Sequence, residues 1–123
     1  MSLMKVRLEL ARTAEQPEGS RERGYAFTAP LTGDGHLDPD GWQRAPEACR
    51  VHRFWRGERD QYGLLVHGDG GRWAFHYDRT DDDEDEPIFR LDQHRFVPGE
   101  YVSVTEHDGV QRTFRVVEVI PAD

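Results

Sequence analysis

The chain has a single cysteine, Cys49, in 123 residues, so no internal disulfide can form. It has no apolar run near the roughly 20 residues needed to span a bilayer. Its start, Met1-Ser2-Leu3-Met4-Lys5-Val6, lacks the long apolar segment of a signal peptide. Together these absences predict a cytoplasmic chain with no membrane partner. Basic residues are outnumbered by acidic ones, 16 to 24, and the formal charge of −8 repels phosphate backbones unless cations gather on one face. Only 36% of residues are hydrophobic and 33% are charged, which predicts a compact core in strongly solvated surroundings. The length suits one domain over 1–123. HExxH, paired CxxC, nucleophile-elbow and Gly-rich phosphate-loop patterns are all missing.

What is present is β patterning. Phe96 to Ile120 reads as a hairpin, with turn dipeptides Pro98-Gly99 and Asp108-Gly109 among β-branched and aromatic runs. Its apolar residues fix the parity of the loop. An odd loop sets Val102 and Val104 on the face of Phe114 and Val116, whereas a two-residue loop would split them. Gly109 then suits the left-handed position that closes a three-residue loop with a bulge. Met4 to Arg12 alternates, with Met4, Val6, Leu8 and Leu10 on one side of a half-buried strand. Thr13 to Arg23 reads as a loop, and Tyr25 to Ala29 as a short strand ended by Pro30.

Asp38 can cap a helix with Pro39 at its first position, and Leu37 with Trp42 have staple spacing, which predicts one short helix near 38–48 kinked at Pro46. Arg50 to Trp55 is a strand of mixed polarity, followed by a turn at Gly57 to Asp60. A second hairpin with the four-residue loop Gly68-Asp69-Gly70-Gly71 would pair Val66 with Trp73, Leu64 with Phe75 and Tyr62 with Tyr77, gathering apolar side chains onto one face. Self-repulsion in Asp81-Asp82-Asp83-Glu84-Asp85-Glu86 predicts a solvated, mobile loop over 78–86, after which Ile88, Phe89 and Leu91 resume the fold. The sum is a mainly β fold, a single small, partly open barrel or roll of about six or seven largely antiparallel strands with one short helix.

Candidate chemistry is sparse. The acidic run fails EF-hand spacing, with Asp83 at the glycine position and Phe89 at the terminal glutamate position. His67 and His76 would share a face yet stand about 13 Å apart along the strand, too far for one tetrahedral metal. Cys49 and His52 are the one local nucleophile and base pair, but Cys49 falls on the apolar stripe of the helix and reads better as a small buried side chain. No cofactor, metal ligand or catalytic residue is assigned. Arg53-Phe54-Trp55-Arg56 and His94-Arg95-Phe96 interleave aromatics with cations, so Arg53, Trp55, His94 and Arg95 are the candidate contact residues. Such mixtures also serve single-stranded nucleic acid, which the net charge disfavours.

Val51-His52-Arg53-Phe54-Trp55, Asp82-Asp83-Glu84-Asp85-Glu86-Pro87 and His94-Arg95-Phe96-Val97-Pro98-Gly99-Glu100-Tyr101-Val102 give the chain its one likeness. It resembles, over most of its length, a family of short uncharacterised bacterial proteins of alphaproteobacterial type. The resemblance implies a bacterial cytosolic origin and transfers no activity or ligand. The leading functional expectation is a nonenzymatic binding or interaction module whose partner is a protein or a carboxylate-bearing small ligand, with homo-oligomerisation left open. A small metal-dependent or thiol hydrolase and a nucleic-acid-binding small barrel are the alternatives.

Overall fold

The structure, a computed structural model, describes residues 2–12, 17–68, 72–77, 86–87, 95–106 and 109–122. The strands are β1 (Ser2–Leu10), β2 (Ser20–Leu31), β3 (Arg50–Trp55), β4 (Gln61–His67), β5 (Trp73–Tyr77), the two-residue β6 (Glu86–Pro87), β7 (Tyr101–Thr105) and β8 (Gln111–Pro121). Between β2 and β3 lie helix α1 (Pro39–Arg44) and a 3-10 turn (Pro46–Ala48). All strand pairs are antiparallel, in the spatial order β6-β5-β4-β3-β2-β1-β8-β7. The sheet curls into a half-barrel whose outermost strands, β6 and β7, approach each other. This is the partly open, mainly β architecture that the strand patterning predicts. Both register shifts on β1, at Arg7/Leu8 against β8 and at Glu9/Leu10 against β2, lie in the middle of the sheet, where a bulge adds the twist that curling requires.

Alternation decides which side chains fill the concave face. Val6, Leu8 and Leu10 of β1 point inward as their spacing predicts, and so do Val102, Val104, Phe114 and Val116 of the last hairpin. Val102 stands opposite Phe114, and the Glu106 N–H donates to the Val110 carbonyl at 3.0 Å, leaving three residues in an odd loop. Gly109 takes φ +81°, the left-handed value that this loop needs. A chain of ring contacts runs through the half-barrel from Phe96 to Phe27, Phe75, Tyr25, Phe114 and Trp55, with centroids 5.0 to 6.2 Å apart. Each such pair contributes about 0.5 to 1.5 kcal/mol beyond its burial.

Four local expectations are corrected. First, β2 starts at Ser20, so Ser20 to Arg23 are strand and not loop. Second, the Asp38 side chain caps α1 by accepting from the Asp40 N–H at 3.1 Å, but the helix ends at Arg44 and resumes as a separate 3-10 turn. Pro46 breaks it where a kink is expected, because proline has no N–H to continue the ladder.

Third, the β4–β5 register is one residue away from the expected one. Leu65 faces Phe75, His67 faces Trp73 and Gly63 faces Tyr77, so Leu65, Trp73, Phe75 and Tyr77 are buried while Leu64 and Val66 are half-buried on the convex face and Tyr62 is exposed there. The reason is the neighbour on the other side: β3 sends Val51 inward opposite Gly63 and His52 outward opposite Tyr62, which fixes the facing of β4. The Gly68 N–H donates to the Arg72 carbonyl at 2.8 Å, so this loop is also odd. Fourth, His67 stacks on Trp73 at 4.3 Å, while exposed His76 pairs with outward Leu64; the two histidines lie on opposite faces. The acidic run through Asp85 and the expected return at Ile88, Phe89 and Leu91 fall outside the described residues.

Candidate functional site

The half-barrel has two differently closed ends. At one, α1 and the 3-10 turn cover the core, with Trp42 Nε1 donating to the Leu65 carbonyl at 2.8 Å and Leu37 and Cys49 buried beneath. Arg95 belongs to this end: it is exposed, and its Nε donates to the Asp34 carbonyl at 3.2 Å. Asp34 itself is held down to about 2 by the Thr32 hydroxyl and then by His36.

The opposite end is closed by a buried polar cluster. Arg53, 2% exposed, shares the inward parity of Val51, and Glu106, also 2% exposed, continues that of Val102 and Val104. Glu106 Oε2 accepts from the Tyr25 hydroxyl at 2.5 Å and from Arg53 Nε at 3.2 Å, and its Oε1 accepts from Arg112 Nη1 at 2.7 Å. The Trp55-Arg56-Gly57-Glu58 turn, with Gly57 at φ +87°, folds Glu58 back so that its Oε1 accepts from Arg53 Nη1 at 3.0 Å. Half-buried Trp55 lies under the Arg53 guanidinium at 4.4 Å. Burial works against the Arg53 charge, but Glu106, Tyr25 and Glu58 outweigh it and hold its pKa above the usual guanidinium range.

Of the expected contact residues, the three described ones, Arg53, Trp55 and Arg95, therefore do not form one surface. Arg53 is corrected from an exposed cation to an interior ion-pair partner, because the odd positions of β3 face the core. Trp55 lies beside it with its face already covered by arginine, Arg95 sits at the far end, and His94 falls outside the described residues. The period-two rule applied from Val51 was enough to place Arg53 inside, and applied from Val102 it would have found Glu106.

Nor do Cys49 and His52 form a catalytic pair. The Cys49 thiol is enclosed, donates to the Ala45 carbonyl at 3.5 Å, and is pushed up to about 11 by burial and then by Glu47. His52 lies on the convex face, with Nε2 3.0 Å from Asp60 and its ring stacked on Tyr62 at 4.6 Å and 9°. Among the described residues no group of three or more His, Cys, Asp or Glu side chains is placed to hold a metal ion.

The convex face carries a groove of about 350 Å³ running along β2. Its origin lies in the registers. Ala26 and Thr28, both small, form the floor; Arg7 and Lys5 of β1 stand directly across from them on one side, backed by Glu118 and Ile120 of β8. On the other side His52 of β3 stands across from Ala26, with Tyr62 of β4 beyond it, and Arg50 completes the wall. Short side chains on a strand flanked by long ones leave a trough.

Its charges divide into engaged and free. Arg7 donates to Glu9 at 2.9 Å and covers the Phe54 ring at 4.3 Å, and His52 is held by Asp60. Among the described residues Lys5, Arg50 and Glu118 make no salt bridge. Among the described residues, two of the four exposed large hydrophobic side chains, Tyr62 at 54% and Ile120 at 42%, line this groove. No local motif announces it, since its residues come from five strands.

No protein-family model, curated protein or solved structure matches the chain. Among the described residues no helix is long and apolar enough to cross a membrane.

Proposed function

We propose that this chain is a nonenzymatic, cytoplasmic binding module that recognises a carboxylate-bearing partner on the convex face of its half-barrel. The reading rests on one observation. In a chain of formal charge −8, two cations without salt-bridge partners, Lys5 and Arg50, meet over a floor of small side chains beside an exposed tyrosine. Unpaired cations around an apolar-walled concavity attract an anion and give it a dry surface to lie on. The buried Arg53–Glu106 cluster serves a different purpose, joining β2, β3, β7 and β8 from inside. Recognition accordingly moves from Arg53 and Trp55 to the residues around Ala26 and Thr28.

Titration of ¹⁵N-labelled protein with sodium acetate, against sodium chloride at equal ionic strength, tests this. Amide shifts specific to acetate should cluster at Ala26, Thr28, Arg50 and His52. Shifts identical in the two salts, or centred on the Arg95 end, would remove the reading.

A further inference from the structure

Resting on that reading of the groove, we infer that its ligand is a small monoanionic aromatic acid, a single carboxylate carried on a planar ring. Charge sets the first part. With Arg7 held by Glu9 and His52 by Asp60, the free charges of the groove are Lys5, Arg50 and the opposing Glu118, which leave one net positive charge. One carboxylate is neutralised there. A second negative charge would meet Glu118 and the negative field of the whole chain. The guanidinium of Arg50 offers the planar two-donor fork that fits a carboxylate, and Lys5 adds a point charge across the trough.

The walls set the second part. The His52 ring, standing across from Ala26, is already stacked in parallel on Tyr62 at 4.6 Å, while Ile120 lies behind Lys5 on the other side of the floor. A ring that packs on the His52 ring above that floor gains contact with little side-chain ordering, because His52 is already anchored on Asp60 and stacked on Tyr62. A volume of about 350 Å³ holds a one-ring acid and lies at the small end of the range for ligand pockets.

Binding of four probes, acetate, benzoate, phthalate and benzyl alcohol, measured by the same amide shifts, decides the matter. Benzoate should bind at the groove about tenfold more tightly than acetate, phthalate no more tightly than benzoate, and benzyl alcohol not detectably. His52→Ala should bring benzoate to within about twofold of acetate while leaving acetate binding in place. Tyr62→Ala, which takes away the support on which the His52 ring is stacked, should weaken benzoate but not acetate and serves as the second variant should His52→Ala fail to fold. Arg50→Ala should weaken both acids. Acetate bound at the groove with benzoate no tighter, a benzoate preference that survives both wall variants, or phthalate binding best would each overturn the inference while the carboxylate-binding reading stands. If neither acid shifts the groove amides, both fail together.

Discussion

Arg53 and Glu106, 53 positions apart in the chain, meet inside the half-barrel with Nε 3.2 Å from Oε2 and both side chains closed to solvent. A buried pair of this kind adds little net stability over an apolar pair of similar volume, yet removing one partner strands the other charge in a poor dielectric. Here the stranded group would be worse off than most, because Tyr25 and Arg112 are also built around the Glu106 carboxylate.

Glu106→Leu should therefore destabilise the protein by about 3 to 5 kcal/mol, measured by urea unfolding. The double variant Glu106→Leu, Arg53→Met should recover a large part of that loss, since the buried guanidinium that has lost its buried carboxylate is gone. Equal losses in the single and double variants would show that Arg53 is not the group that Glu106 neutralises.

Register gives a second, sharper test. Leu65 is fully buried against Phe75, whereas Leu64 lies half-buried on the convex face beside His76. Leu65→Ala should cost about 2 to 5 kcal/mol as a core truncation, and Leu64→Ala under about 1 kcal/mol, within the range of surface substitutions. A reversal of this order would return β4 to the four-residue-loop pairing.

That contrast also shows what can be read from the sequence. In β1, Met4, Val6, Leu8 and Leu10 share one parity, and in the β7–β8 hairpin Val102 and Val104 join Phe114 and Val116 on one face only across an odd loop, so alternation assigns the face and even the oddness of the loop. In β4, Tyr62, Leu64 and Val66 have one parity and Leu65 the other, so apolar content favours the face that turns out to be convex. What settles it is the pairing of Val51 with the side-chain-free Gly63, a relation between strands that no local pattern displays. The same limit hides the groove, whose floor and walls are neighbours only through four registers. Arg53 is a different case: its parity with Val51 was legible, but its charge suggested the surface, and only Glu106 explains how it is tolerated inside.

Gly63 yields the third prediction. A Cβ built there would stand 2.0 Å from the His76 carbonyl oxygen and 2.6 Å from the Tyr77 Cα, both backbone atoms that cannot step aside singly. Gly63→Ala should thus push β4 from β5 and cost at least about 1 to 3 kcal/mol, the range for overpacking. Thermal unfolding of this variant beside Gly57→Asn checks it. Gly57 has open space around its Cβ position but sits at φ +87°, a conformation asparagine tolerates better than most residues. The Gly63 variant should fall further, and equal midpoints would refute the close approach.

Cys49 links burial to alkaline stability. Its thiol is raised from an ordinary value near 9 to about 11, first by burial and then by Glu47. As pH rises past 9 the unfolded chain loses this proton before the folded one does, so the unfolded state gains stability from the release; the folded state binds more protons between about 9 and about 11, and stability declines across that window. Below pH 9 the thiol is protonated in both states and the effect vanishes. Wild type should therefore lose more of its thermal midpoint between pH 8.5 and 11 than Cys49→Ala, each compared with its own value at pH 8. The difference between the two proteins isolates the thiol from every other group in the chain. In parallel, a thiol reagent at pH 8 should label folded protein slowly and unfolded protein fast, because the reactive species is the thiolate and the folded chain suppresses it. Matching alkaline slopes, or rapid labelling of the folded protein, would place Cys49 in a solvated setting that the enclosed sulfur does not have.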